Sequence, residues 1–126
     1  MVEKCINNKL TSTKGFENLY PFNSNFMNIN GHDLHYIDKG EGKPVLMIHG
    51  NPTWSFYFRG LIQSLSNDFR TIALDHIGCG FSDKPDAKTY KYSLESRVKD
   101  LDILITRLKI NEKINLVLHD WGGMIG

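Results

Sequence analysis

The chain has 126 residues, with 15 basic residues against 14 acidic ones and a net charge of +1 at neutral pH. Hydrophobic residues make up 40% and charged residues 23%, the balance of a single globular domain and not of a fibre, a linker or a disordered tail. The charges are well mixed, so no electrostatic footprint for nucleic acid or an anionic membrane is present.

Two cysteines, Cys5 and Cys79, lie far apart and form no CxxC, which argues against a disulfide framework or a zinc site. No apolar stretch approaches the roughly 18 residues that span a bilayer. The opening "MVEKCINNKLTSTKG" has no apolar core of signal-peptide type. These features place the protein, as an expectation, in a reducing cytoplasm, with no membrane span, no nucleic-acid partner and no metal.

In chain order, residues 1–24 are polar and aperiodic and are expected to form an irregular arm, with Leu19, Tyr20 and Phe22 docking on the body. "NFMNINGHDLHYIDKG" alternates in polarity around Asn30-Gly31, a strong two-residue hairpin signal. It predicts an antiparallel pair, Asn25–Asn30 with His32–Asp38. Val45-Leu46-Met47-Ile48 is a continuous apolar run, as in a strand buried on both faces. Arg70–Asp75 and Ile114–His119 read as similar strands. Between them lie two helical stretches. In Thr53–Ser66, Phe58, Leu61, Ile62 and Leu65 share a face. In Ser93–Lys109, Leu94, Val98, Leu101, Ile105 and Leu108 form an apolar stripe, with Ser93 as N-cap and Glu95 suiting the helix dipole. Hairpin, strand, helix, strand, helix, strand is an α/β order, with a mostly parallel sheet and right-handed crossovers. The body is read as one unit, residues 25–126.

In open parallel sheets, ligands bind beyond the carboxyl ends of the strands. Three segments converge there: "HGNPTW", "DHIGCGFSDKP" and "HDWGG". Each sets glycine beside polar groups. Asp120 taken alone is a favoured helix N-cap. Gly122 and Gly123, however, permit a sharp strand-to-helix turn, the geometry that lifts a nucleophile above a sheet. A carboxylate so placed displaces leaving groups at saturated carbon and forms alkyl esters. Trp121 and Asn51 are by themselves a packing and a turn residue. Both also offer uncharged N–H donors able to hold a departing anion, and backbone N–H groups of the same loops suit an oxyanion hole.

These three motifs, in this order and spacing, resemble the haloalkane dehalogenase branch of the α/β-hydrolase fold, over roughly residues 25–126. The resemblance implies Asp120 as nucleophile, Asn51 and Trp121 as leaving-group donors, and Gly50, Gly122 and Gly123 as the loop and elbow glycines. It implies a small apolar substrate and no cofactor. Epoxide hydrolases share "HDWGG" but typically carry an aromatic residue where Asn51 stands and a glycine where Leu118 stands. Dehalogenases more often carry Leu where His76 stands. "DHIGCGFSDKP", "YSLESRVKDLDILI" and "HDWGGMIG" are most similar to the β-lactone (cis-3-alkyl-4-alkyloxetan-2-one) decarboxylases of long-chain olefin biosynthesis. Haloalkane dehalogenase is the alternative activity, and an inactive fragment or edge-pairing half-domain is the non-catalytic one. The family's catalytic histidine, acid partner and helical cap have no counterpart among these residues. His32, His35, His49, His76 and His119 all precede or adjoin the elbow, and His49 and His76 are expected to be structural. The chain is accordingly expected to be the N-terminal portion of a longer hydrolase domain, with Ile114–His119 left as an apolar edge.

Overall fold

A computed structural model describes residues 12–126. The first part of the expected arm, with Cys5, lies outside the described residues. Strands β1 (Asn25–Ile29) and β2 (His32–Lys39) pair antiparallel as predicted. Asn30 and Gly31 both adopt positive φ, 51° and 91°, the backbone that a two-residue primed turn requires. Strands β3 (Pro44–Ile48), β4 (Arg70–Leu74) and β5 (Asn115–Leu118) complete a five-stranded mixed sheet in the order β1-β2-β4-β3-β5. β2 meets β4 antiparallel, while β3 runs parallel to both β4 and β5.

Successive side chains of a strand face opposite ways, and the core divides accordingly. Leu46, Ile48, Ile72 and Leu74 point to one face, where they join Leu101, Leu104 and Ile125. Val45, Met47 and Ala73 point to the other, packed with Tyr20, Phe22, Phe58 and Ile62. Every residue of β3 is buried, as the unbroken apolar run predicts. From the arm, Tyr20 and Phe22 dock into the second cluster, whereas Leu19 remains exposed.

Two helices differ from their expected form. Thr53–Ser66 is not one helix: a single 3-10 turn at Ser55–Phe58 precedes α1 (Arg59–Leu65). The backbone N–H of Ser55 is drawn to the buried Asp75 carboxylate at 2.7 Å, and Trp54 stays extended, so helical geometry starts late. Phe58 and Ile62 are buried, but Leu61 is exposed. α2 (Leu94–Arg107) begins where predicted, with the Ser93 hydroxyl accepting from Ser96 N–H at 3.2 Å. Its buried face is Asp100, Leu101 and Leu104, while Leu94 and Val98 are exposed. On this face the Tyr90 hydroxyl donates to the Asp100 carboxylate at 2.6 Å, while Leu101, Ile105 and Leu108 of the expected stripe pack in or against the core.

β5 is the edge of the described sheet, and Leu116 and Leu118 are exposed, in contrast to the buried run of β3. α3 (Gly122–Ile125) is a single turn.

Candidate functional site

The register of the sheet assembles the site. Ile48 of β3 lies opposite Leu118 of β5, and His119 N–H extends the ladder to Ile48 C=O at 3.2 Å. Two residues further on, Gly50 and Asp120 come level at the carboxyl edge. On the other side of β3, Met47 is paired with Ala73, which brings His49 level with Asp75 and His76. "HGNPTW", "DHIGCGFSDKP" and "HDWGG" therefore meet where the strand pattern placed them.

At Asp120 the chain turns sharply, with φ of 54°, in the left-handed region that costs a non-glycine residue of order 1 kcal/mol or more. The turn closes only because two neighbours lack a Cβ. A Cβ on Gly50 would sit 2.5 Å from the Asp120 side chain, and one on Gly122 would sit 2.1 Å from the Ile48 carbonyl oxygen. Gly123 differs from its expected role: a Cβ there would meet nothing within 4 Å among the described residues. Asp120 is not an N-cap, since Trp121 occupies that position of α3 without a side-chain cap. Its carboxylate instead accepts the backbone N–H groups of Trp121 and of Asn51, the latter at 3.3 Å, and these hold its pKa below the ordinary carboxylate value.

Asn51 and Trp121 are both exposed and flank Asp120 on the same edge. The Asn51–Pro52 bond is cis. The residue types single out the Asn51 side chain. The structure adds that its main-chain N–H, one of the backbone donors expected in these loops, faces Asp120.

Behind this edge, His49 and His76 are buried and locked to each other. His76 N–H donates to His49 Nε2 at 2.9 Å, and His76 Nε2 contacts the His49 carbonyl at 3.0 Å. Burial lowers the pKa of both rings, that of His76 to about 3, so both are neutral. His49 Nδ1 reaches the Gly50 carbonyl at 2.7 Å. Deeper still, Asp75 is fully buried. Burial alone would raise its pKa, but His35 Nδ1 at 2.8 Å and the N–H groups of Ser55 and Phe81 outweigh that and hold it low. One carboxylate thus ties β2, the loop after β3 and the loop after β4. His119 stacks on Tyr57, with ring centroids 4.2 Å apart.

Chemically, the arrangement presents an ionised, solvent-facing carboxylate on a sharp turn, backed by two main-chain donors. Among the described residues no group of three or more His, Cys, Asp or Glu is placed to hold a metal ion. None of their helices is long and apolar enough to cross a membrane.

The described sheet is evenly mixed, two antiparallel and two parallel pairings, where a mostly parallel one was expected, because the β1–β2 hairpin adds its two strands to the three parallel ones. With helices on both faces and a strand-to-helix elbow at the carboxyl edge of the parallel strands, it is the architecture of the hydrolase elbow enzymes. The model of the α/β-hydrolase fold matches residues 43–126, and the chain belongs to that family. It is 53% identical over 110 residues to the cis-3-alkyl-4-alkyloxetan-2-one decarboxylase of Shewanella oneidensis, covering 87% of this chain and 35% of the relative. It is 49% identical to the enzyme of that name in Xanthomonas campestris, over 74% of this chain and 33% of the relative. Haloalkane dehalogenase 2 of Mycobacterium tuberculosis is 36% identical, over 85% of this chain and 36% of the relative. Among solved structures, a haloalkane dehalogenase from Agrobacterium tumefaciens superposes with a TM-score of 0.75 at 34% identity, over 82% of this chain and 35% of that one. An epoxide hydrolase from Bacillus megaterium gives 0.72 at 41% identity, over 81% and 35%. The chain thus spans about a third of the length of the relatives it matches.

Proposed function

We propose that the chain carries the nucleophile of a β-lactone decarboxylase that releases a long-chain olefin, with Asp120 forming the alkyl-enzyme ester. The observation that carries this reading is the exposed Asp120 carboxylate on its glycine-framed elbow, held ionised by two N–H groups. The choice among aspartate-nucleophile chemistries is supported by the higher identity to the two decarboxylases than to the dehalogenases.

In this reading an Asp120 oxygen attacks the saturated ring carbon bonded to the lactone oxygen. That carbon–oxygen bond breaks and its electron pair stays on the released carboxylate. Carbon dioxide then departs. The electrons of the broken carbon–carbon bond form the alkene, and the ester bond to Asp120 breaks, restoring the carboxylate. No water or proton transfer is consumed. The Asn51 side chain, the Trp121 indole N–H and the backbone N–H groups beside Asp120 are assigned to the lactone oxygens. The substrate is apolar and small, and the route asks for no metal or organic cofactor.

The haloalkane reading shares the first step, with halide as leaving group and water hydrolysing the ester, and Asn51 suits it equally. A cis-β-lactone and a terminal haloalkane, offered separately to the protein, separate the two. Alkene from the first without halide from the second is expected, and halide release alone would reverse the assignment. Intact-mass analysis should show the alkyl adduct in the native protein and none in Asp120→Asn. An adduct that persists in that variant would remove Asp120 from the role.

A further inference from the structure

The peptide unit between Gly50 and Asn51 has an N–H aimed at Asp120 and a carbonyl aimed away. The carbonyl oxygen receives three donors: His49 Nδ1 at 2.7 Å, Thr53 Oγ1 at 3.0 Å and Thr53 N–H at 3.3 Å. The His49 tautomer follows from its partners. The main-chain N–H of His76 only donates, so His49 Nε2 accepts and the proton resides on Nδ1. In a trans peptide the C=O and N–H point in opposite directions. Fastening the carbonyl on one side therefore fixes where the N–H points on the other.

We propose that His49 and Thr53 are positioning residues that clamp the Gly50–Asn51 peptide so that the Asn51 N–H faces the Asp120 carboxylate. A flipped peptide would lose all three donors and would turn a carbonyl dipole toward a carboxylate, which is repulsive. Gly50 fits this scheme from the other direction, since a side chain there would collide with Asp120. His76 completes the relay. Its N–H sets the His49 tautomer, and its Nε2, facing a carbonyl that only accepts, is the donor that holds the start of the loop. The lowered pKa of His49 agrees with a ring kept neutral for this purpose.

The catalytic meaning of the clamp rests on Asp120 being the nucleophile, but the clamp itself does not. When the carboxylate becomes an ester its carbonyl oxygen still accepts, and the fixed Asn51 N–H holds the carboxyl group in place through the step. A fixed donor at this point acts on the reacting atoms without reorganising.

The test reads Asp120 directly, by carbon-13 NMR titration of its carboxyl group, alongside the Asn51 amide proton shift. His119, the titratable neighbour acting on Asp120, is unchanged in every variant. His49→Phe and Thr53→Val should move the Asp120 titration up toward the ordinary carboxylate range and weaken the response of the Asn51 amide to it. His49→Asn, whose amide N–H replaces Nδ1–H, and Thr53→Ser should restore both. If the buried ring tolerates no substitution, the Thr53→Val and Thr53→Ser pair decides alone. The rate of ester formation should fall by about tenfold in Thr53→Val, in kcat more than in KM, and return in Thr53→Ser. A folded Thr53→Val protein with unaltered titration and amide response overturns the clamp. A protein whose titration moves as described, yet which never forms an ester, keeps the clamp and removes the nucleophile reading instead.

Discussion

At the scale of the single residue, the buried histidines make the clearest demand on conditions. Burial comes first in depressing His76 to about 3, followed by the neighbouring His49 and Arg97, and burial likewise depresses His49. Both rings ionise near 6.5 when exposed in the unfolded chain. Below about pH 6.5, and for His76 down to about pH 3, the unfolded chain therefore binds protons that the folded one refuses. Stability from these rings is fully present above 6.5 and declines as the pH falls, by at most about 1.4 kcal/mol per pH unit for each. His76→Gln keeps an N–H at the Nε2 position without the titration. Denaturant midpoints measured from pH 7 to 5 should fall less steeply in that variant, and equal slopes would contradict the assignment. Both histidines are visible in the sequence as polar groups on active-edge loops. Their interlock is not, because it joins positions brought together only by the parallel register of β3 and β4. The same holds for Asp75, which reads as a strand terminus and proves to be the hub of a buried network reaching back to His35.

At the scale of the element, local pattern tells most where one interaction dominates. The Asn30-Gly31 turn, the unbroken run of β3 and the Ser93 cap were all legible, because each depends on neighbours in sequence. The helix faces were less so. A stripe written in apolar residues puts Leu94 and Val98 inside, but both are exposed, while Asp100, bonded to the Tyr90 hydroxyl, is buried. The elbow glycines divide in the same way. Sequence treats Gly122 and Gly123 as a pair, whereas only Gly122 faces a backbone oxygen. Gly122→Ala should cost about 3 kcal/mol in urea denaturation, as an overpacked contact with nowhere to relax. Gly123→Ala should leave stability unchanged or raise it by up to about 1 kcal/mol, by helix propensity. Equal losses from both would mean that the turn is limited by backbone freedom and not by space.

At the scale of the whole molecule, the sheet is asymmetric. Among the described residues it is bounded by the β1–β2 hairpin on one side and by β5 on the other, where Leu116 and Leu118 are exposed. In a polypeptide of these 126 residues taken alone, such an edge pairs readily with another chain. Light scattering of the chain should rise with concentration, and Leu116→Lys should suppress the rise while changing stability by within about 1 kcal/mol. Unchanged scattering in that variant would place association elsewhere.

The elbow also bears on how this site can be altered. Its central turn closes on two residues without a Cβ, Gly50 and Gly122, where an added carbon would lie 2.5 Å from the Asp120 side chain and 2.1 Å from the Ile48 carbonyl oxygen. Positions 51 and 121 border the same carboxylate from exposed ground, and among the described residues nothing lies within 4 Å of a Cβ at position 123. Substitution around Asp120 therefore has room at three positions and none at two. A library spread evenly over "HGN" and "DWGG" would carry, at Gly50 and Gly122, members whose added side chain prevents the turn from closing.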